Sequence, residues 1–471
     1  MSSSAPLPQS VRGKEPRFVA ALVITVTVLS LATAILMGLN WLRGPYAMDS
    51  AIDVTAVTVS QRETLVIKAD QPLSEKGPVT TAISPEGKTS AVVEGSNVRV
   101  SIEQPLRYDT SYTVTVRAAA ASSNREGTLR AEFTTEKAEI VTLERNPDSA
   151  AEGPGRDSVV RRTLGEPQGY TVFSADKIQD VVVLNESVVV STLDANSLSQ
   201  LTYQPFQGGN SLDVPVPTPG LITSLKSSGL TGLVGFLVAP VSQGSSALLY
   251  VTNPQADAPP TLVRAPDGTP MVVNAWNWVP NSTSLVVQDS EQMLWLIDYT
   301  GATAPEAIGR HTEFRGFVPG QDTFQVADPA SSSFIDLKTG VKEEIAFGPA
   351  PLLPGEQQVD TRFLSDRTTY VQIVATLVDI SDKNPFTFSV RRVDGLEAVP
   401  ILTPTVERGV FRSLCVSPNS QYVAVVETPP DAEPGFYLGN PVFTGASTII
   451  ASAMTGEISQ VVPGVFDAWC Q

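Results

Sequence analysis

The chain has 471 residues, more than one ordinary domain holds, and 42% of them are hydrophobic while only 17% are charged. Its formal net charge of −17 argues against a nucleic-acid partner, because an acidic surface repels phosphate groups. With one histidine and two cysteines, the sequence excludes zinc sites and catalytic triads that need several histidines.

The first element is an uncharged run from 18 to 42, which follows a polar tail at 1–17. At ~1.5 Å per residue it makes a helix of roughly 37 Å, enough to cross a ~30 Å hydrocarbon core. More basic residues precede the run than follow it, so we expect the tail in the cytoplasm and the C-terminal domains outside. A cleavable signal peptide is the alternative, since Ala32-Thr33-Ala34 has a small-x-small pattern. The apolar run continues past that site, which favours an uncleaved signal anchor in the cell membrane.

Short alternating segments fill residues 45–137 at ~10-residue spacing and predict a β-sandwich. The stretch QPLRYDTSYTVTV from Gln104 to Val116 and the closing Phe133-Thr134-Thr135 resemble bacterial Ig-like domains of surface proteins. The resemblance implies a spacer or adhesion module on a cell envelope, and it carries no catalytic residues. Residues 138–167 contain a Pro-, Gly- and acid-rich stretch without hydrophobic period, which predicts a linker.

Residues 168–471 are predicted to form a β-propeller, because a unit of roughly 40–55 residues recurs there. The clearest unit is 271–301, in which a Trp-containing strand, a Pro-Asn-Ser turn and two apolar strands follow one another. We count six blades and leave seven open. The turns Trp278-Val-Pro-Asn281, Phe317-Val-Pro-Gly320 and Val416-Ser-Pro-Asn419 resemble those of WD40-like and Tol-system periplasmic propellers. The expected fold is thus an all-β ectodomain, sandwich plus propeller, behind one transmembrane helix.

Two related stretches predict how the ring closes. Gly409-Val-Phe-Arg-Ser-Leu-Cys415 and Gly464-Val-Phe-Asp-Ala-Trp-Cys470 are copies of each other, and each is a predicted inner strand. We expect Val465–Cys470 to be the inner strand of the first blade, with its other strands in 178–203. Cys415 and Cys470 occupy matching positions, which predicts a disulfide in an oxidising compartment. Two buried free thiols are the alternative.

Motifs of known catalytic chemistry are missing from the sequence. There is no phosphate-binding loop, dinucleotide fingerprint, nucleophile elbow or EF-hand loop, so no catalytic residue, metal site or cofactor is predicted. The candidate ligand-binding residues, which lie near predicted inner-strand ends, are Trp276, His311, Arg412 and Asp467. Aromatic packing between blades and an exposed loop histidine are the alternative explanations for the first two.

Two functions remain. The first is a single-pass, membrane-anchored extracytoplasmic binding or scaffold protein, whose propeller contacts an envelope protein or a cell-wall component. The second is a propeller hydrolase or lyase with a carboxylate-held Ca²⁺ in the central channel, a site that needs few or no histidines. Three or more carboxylates converging on one point of the axis favour the enzyme.

Overall fold

The computed structural model describes residues 15–145, 156–241, 246–256, 258–345, 352–381, 384–432, 434–437, 440–466 and 468–470. The chain divides into two compact units. The first comprises Met1–Ile52, Thr64–Ile102 and Tyr112–Phe133, and the second comprises Asp53–Glu63, Glu103–Ser111 and Thr134–Gln471. Three segments of the predicted sandwich at 45–137, namely 53–63, 103–111 and 134–137, therefore belong to the second unit.

A long helix, α1 (Glu15–Leu42), precedes the strands. Its window Phe18–Ile35 is long and apolar enough to cross a membrane, and none of it is buried against the described part of the chain. The hydroxyls of Thr25, Thr27 and Thr33 donate to the carbonyl four residues earlier, at 2.8 to 2.9 Å, so these polar groups need no water. The helix is thus suited to be a membrane anchor or a signal sequence.

The first unit contains two sheets, with strand orders β1-β2-β5-β4 and β3-β6-β7. Their strands are β1 (Ala47–Ala51), β2 (Glu63–Ala69), β3 (Thr80–Ser84), β4 (Thr89–Glu94), β5 (Asn97–Ile102), β6 (Ser111–Ala119) and β7 (Glu126–Thr134). In β6, Tyr112, Val114 and Val116 are buried and alternate with more exposed residues. One face of the strand therefore covers a core, which is the physical basis of the alternating sequence pattern.

The second unit begins with a short helix, α2 (Ala56–Val59), and then forms seven sheets of propeller type within the described residues. Blade 1 contains β8 (Glu139–Glu144), β9 (Asp157–Thr163) and β10 (Gly169–Ala175). Blade 2 contains β11 (Ile178–Leu184), β12 (Ser187–Leu193), β13 (Ser199–Pro205) and β14 (Leu212–Val214). Blade 3 contains β15 (Gly220–Ser227), the 3₁₀ turn Gly229–Thr231, β16 (Val234–Pro240), β17 (Leu248–Thr252) and β18 (Thr261–Leu262). Blade 4 contains β19 (Val273–Trp278), β20 (Ser284–Asp289), β21 (Met293–Asp298) and β22 (Glu306–Arg310).

Blade 5 contains β23 (Glu313–Phe317), β24 (Thr323–Asp328), β25 (Ser331–Asp336) and β26 (Lys342–Glu344). Blade 6 contains β27 (Glu356–Phe363), β28 (Thr369–Leu377), β29 (Phe386–Asp394) and β30 (Glu397–Leu402). Blade 7 contains β31 (Val410–Val416), β32 (Tyr422–Thr428), β35 (Ser447–Ser452) and β36 (Ile458–Pro463), with a hairpin of β33 (Pro434–Tyr437) and β34 (Asn440–Phe443) between its second and third strands. Buried apolar clusters lie between successive blades and form the core.

The C-terminal segment completes blade 1. Val465 pairs with Leu143 of β8, since each backbone N–H donates to the other residue's carbonyl at 2.9 and 3.0 Å. Cys415 and Cys470 form a disulfide with their Cα atoms 4.8 Å apart. Trp469 stacks on Tyr422, with ring centroids 6.4 Å apart. The last residues are therefore held by backbone pairing, a covalent bond and aromatic packing.

The structure differs from the sequence prediction at the start of the ring. The predicted linker at 138–167 contains β8 and β9, and the C-terminal segment joins β8 rather than 178–203, which forms strands of the next, four-stranded blade. The composition of this region explains the difference. The Pro- and Gly-rich stretch 146–155, which lies outside the described residues, separates β8 from β9, so the sequence pattern did not show that the two segments are paired strands. With these strands the blade count becomes seven.

The inner strands of blades 2 to 7 share one irregularity. Each carries a register shift against its neighbour, near its third to sixth residue. A β-bulge of this kind bends the strand and redirects the side chains next to it. Because the shift recurs in six blades, it repeats at a similar level around the ring.

The three turns that resemble those of known propellers contact the segments 53–63 and 103–111. Asn281 donates through Nδ2 to Ser60 Oγ at 2.7 Å, and Asn419 donates through Nδ2 to the carbonyl of Leu106 at 2.9 Å. Gly320, with φ +64°, lies so close to a proline that an added Cβ would be 2.6 Å from Pro105 Cγ. These turns therefore bind the rest of their own unit.

Candidate functional site

Trp276 is buried, with 2% of its surface exposed, and belongs to the core between blades 3 and 4. Its ring lies edge-on to that of Trp278, with centroids 6.2 Å apart, and its far edge packs against Gly235. Aromatic packing between blades, the alternative reading of this residue, accounts for the position of the ring. It does not account for the indole N–H, since Nε1 is buried without a hydrogen-bond partner.

His311 follows β22 and is buried, with 6% of its surface exposed. Its Nδ1 lies 2.9 Å from Asp328 Oδ2, and its backbone carbonyl accepts a hydrogen bond from Gln288 Nε2 at 2.7 Å. The hydrogen bond from His311 holds the pKa of Asp328 below its usual value. The residue therefore joins blade 4 to blade 5, and the expectation of an exposed loop histidine does not hold.

Arg412 is exposed at the register shift of β31. Its guanidinium lies 4.1 Å from the ring centroid of Phe443, and its Nε donates to Thr428 Oγ1 at 3.0 Å. Partial burial lowers its pKa. The fourth candidate, Asp467, lies outside the described residues. Trp276 lies on the first strand of blade 4, His311 follows the last strand of the same blade, and Arg412 lies in blade 7. Each has separate partners, so the structure does not assemble them into one site.

A different cluster lies on the inner strands. At the position after each register shift, blades 2, 3 and 6 carry the charged residues Asp180, Lys226 and Asp360. Blades 4, 5 and 7 carry the small residues Ala275, Gly316 and Ser413 at that position. Three charged groups and three small side chains thus share one level of the ring.

The pKa of Lys226 is shifted by its surroundings. Burial and the charge of Arg362 lower its pKa to about 8, while the charge of Asp180 opposes the shift. Asp180 belongs to the adjacent blade 2, but Arg362 belongs to blade 6, three blades away. All three residues lie on inner strands, which surround the axis of a propeller.

The groups around Lys226 have partners of their own. Asp360 forms an ion pair with Arg362 at 3.6 Å and accepts hydrogen bonds from two backbone N–H groups, those of Thr361 and Leu414. Asp180 accepts from the N–H of Val181 at 2.8 Å. We define Asp180, Lys226, Trp276, Asp360 and Arg362 as the axial cluster. A buried titratable group with a shifted pKa, here Lys226, marks a candidate site.

A concavity of about 100 Å³ lies where segment 53–63 meets the turns of blades 5 and 6. It is lined by Gln61, Arg62, Gln321, Asp322, Thr323, Asp336, Lys338 and Arg367. Its three cations face two carboxylates, and Arg367 also pairs with Glu343 at 3.3 Å. The charges therefore nearly balance, and this cavity shows no clear preference for anions or cations.

Within the described ranges, no three His, Cys, Asp or Glu side chains are placed to hold a metal ion. The sequence analysis missed the axial cluster, although a signal existed. Asp180 and Lys226 are single charges inside otherwise apolar or uncharged strands, and such charges need a special environment.

Comparisons with known proteins add likenesses of fold. No protein-family profile and no curated protein matches the chain. An uncharacterised protein from Listeria monocytogenes, lmo1340, aligns over 69% of this chain and 90% of its own at 9% identity, with a TM-score of 0.40. A prolyl endopeptidase aligns over 81% and 50% at 11% identity, with a TM-score of 0.45. The β-propeller domain of the Trilobed protease from Pyrococcus furiosus aligns over 87% and 98% at 8% identity, with a TM-score of 0.27. By its own strand order, the chain is a mostly β protein with a propeller and one N-terminal apolar helix.

Proposed function

We propose that this chain is a single-pass membrane protein anchored by α1, with its β-rich part outside the cytoplasm, and that its propeller binds an envelope protein or cell-wall component. In this proposal the first unit is an Ig-like spacer. The observation that carries the location is the Cys415–Cys470 disulfide, because such bonds persist in oxidising compartments and are rare in the cytosol. The apolar helix provides the route to that compartment.

A protein partner is supported by one end of blade 6. Leu353, Val378 and Ile380 expose 65%, 67% and 85% of their surfaces. They are brought together because Leu377 N–H donates to the carbonyl of Gly355 at 2.8 Å. Neighbouring exposed aliphatic side chains are a feature of protein-binding surfaces. We call these three residues the blade 6 patch.

Location is tested with the full chain carrying one epitope at each terminus. Protease added to intact cells, with any outer layers removed, is expected to digest the C-terminal epitope and spare the N-terminal one. The chain is expected to stay in the membrane fraction. Protection of the C-terminal epitope would contradict the extracytoplasmic location. Recovery of a soluble form that lacks residues before 35 would contradict the anchor alone.

Binding is tested by capture from envelope extracts with the detergent-solubilised full chain. Ile380→Asp with Val378→Asp is expected to reduce recovery of a specific partner at least tenfold. The matched control is Leu396→Asp, because Leu396 is equally exposed, at 86%, in the turn at the other end of the same blade. Equal recovery with all variants would contradict a role for the blade 6 patch, and absence of any saturable partner would contradict the binding function.

A further inference from the structure

The Lys226 ammonium forms no direct ion pair within the described part of the chain, although the charge of Asp180 acts on it. No carboxylate among the described residues lies within ion-pair distance of its Nζ, and its side chain is half-buried. Its Nζ lies 5.7 Å from the centroid of the Trp276 ring. A cation over an indole gains ~1 kcal/mol, much less than the several kcal/mol of desolvation that a buried charge loses.

The Trp276 indole N–H is a second unsatisfied donor. The side chain is nine-tenths buried or more, and Nε1 finds no acceptor. The neighbouring Trp278 shows the contrast, since its Nε1 donates to the carbonyl of Lys226 at 3.2 Å. Buried N–H groups in folded proteins almost always have a partner, so an unpartnered one needs an explanation. An unsatisfied N–H donor thus lies on the indole whose ring centroid is 5.7 Å from the Lys226 ammonium.

Several inner strands carry small residues at the position that corresponds to Lys226. The equivalent positions on the next two blades after Lys226 are Ala275 and Gly316, and on blade 7 the position is Ser413. None of these carries a long side chain that could fill the axis. The carboxylates of the cluster are already engaged, Asp360 with Arg362 and backbone N–H groups and Asp180 with Val181.

We propose that the ring axis binds a small oxyanion, a carboxylate or phosphate group, held by the Lys226 ammonium and the Trp276 indole N–H, with Arg362 adding long-range attraction. Both donors then gain the acceptor that the protein does not provide. The site is separate from the blade 6 patch and does not depend on it. The shared chemistry leaves two sources open: a free small acid, or an acidic side group of a polymer.

A pH dependence follows from the surroundings of Lys226. The charged groups facing it are Asp180 from β11 and Arg362 with its partner Asp360 from β27. Burial and Arg362 bring its pKa to about 8, so the ammonium loses its proton above that value. Oxyanion affinity is therefore expected to fall about tenfold per pH unit above pH 8.

The test is isothermal titration of the detergent-solubilised full chain with sodium acetate, inorganic phosphate and poly-glutamate, against sodium chloride at equal ionic strength. At pH 7, Lys226→Met and Trp276→Phe are expected to weaken acetate or phosphate binding at least tenfold. Lys68→Met, at an exposed lysine of the first unit, is the control and is expected to bind like the wild type. Competition by poly-glutamate indicates a polymer source, and its absence indicates a free acid.

The variant Lys226→Arg tests whether a positive charge at this position is what binds the oxyanion. Its guanidinium keeps its proton at pH 9.5, so this variant is expected to retain at pH 9.5 the affinity that the wild type loses. Binding that is unchanged in Lys226→Met, or that is lost equally in Lys68→Met, would overturn the proposal. So would an absence of binding by a folded wild-type chain, which would mean that water alone satisfies the two donors. Partner capture by the blade 6 patch is measured in parallel and is expected to be unaffected.

Discussion

Removal of the disulfide through the paired substitution Cys415→Ala and Cys470→Ala tests the energy of ring closure. The bond spans a sequence separation of 55 residues. For a loop of that length, the chain-entropy relation gives a stabilisation of about 4 kcal/mol. Without the bond, the last residues keep the Val465–Leu143 pairing and the packing of Phe466 and Trp469. We therefore expect a folded but weaker ring, with the C-terminal segment opening first.

Urea unfolding followed by tryptophan fluorescence measures this loss, because Trp469 lies next to the bond. The double variant is expected to unfold at lower urea, with a free energy of unfolding lower by about 4 kcal/mol. Wild-type protein treated with reductant under the same conditions serves as the control and is expected to match the variant. A difference below ~1 kcal/mol, together with two alkylatable thiols in the unreduced wild type, would refute the reasoning.

Three further predictions concern stability. The pKa of Lys226 falls from 10.5 to about 8 on folding, so Lys226→Met is expected to stabilise the empty protein by up to about 3 kcal/mol at pH 7. Between pH 8 and 10.5 the Lys226 side chain is protonated in the unfolded chain but not in the folded chain, so the stability of the wild type rises with pH in that window. The advantage of Lys226→Met over the wild type therefore disappears by about pH 10.5. Urea unfolding at several pH values checks this. Gly320→Ala is expected to cost at least ~2 kcal/mol, because the methyl group meets backbone and proline atoms at 2.6 Å. Gly340→Ala, with a similar φ of +69° and open space, is its control and is expected to cost only about 1 kcal/mol. Glu356→Gln leaves the half-buried Arg391 guanidinium without its charged partner, and a loss of about 2 kcal/mol is expected in the same unfolding assay.

Part of the candidate site could be found in the sequence, and part could not. Trp276 was singled out in the sequence for its position on a strand, and only the structure shows its unsatisfied N–H. Lys226 and Arg362 are 136 residues apart in the chain, and only the closed ring brings their charges to one axis. An exposed loop position was one of the two interpretations of His311, yet the residue is buried and its imidazole contacts Asp328 of the next blade.

The sequence by itself determined the apolar helix, the β-rich composition and the recurring blade, because these depend on local length, hydrophobicity and period. The match between the two copies ending at Cys415 and Cys470 also followed from local pattern. Only the tertiary structure decided that β8 and β9 form the first blade with Val465, since strand pairing depends on residues that are hundreds of positions apart. The tertiary structure also decided which side chains lie at the same level near the axis, because the register shifts in six inner strands determine that level. Such shifts have no fixed sequence signature.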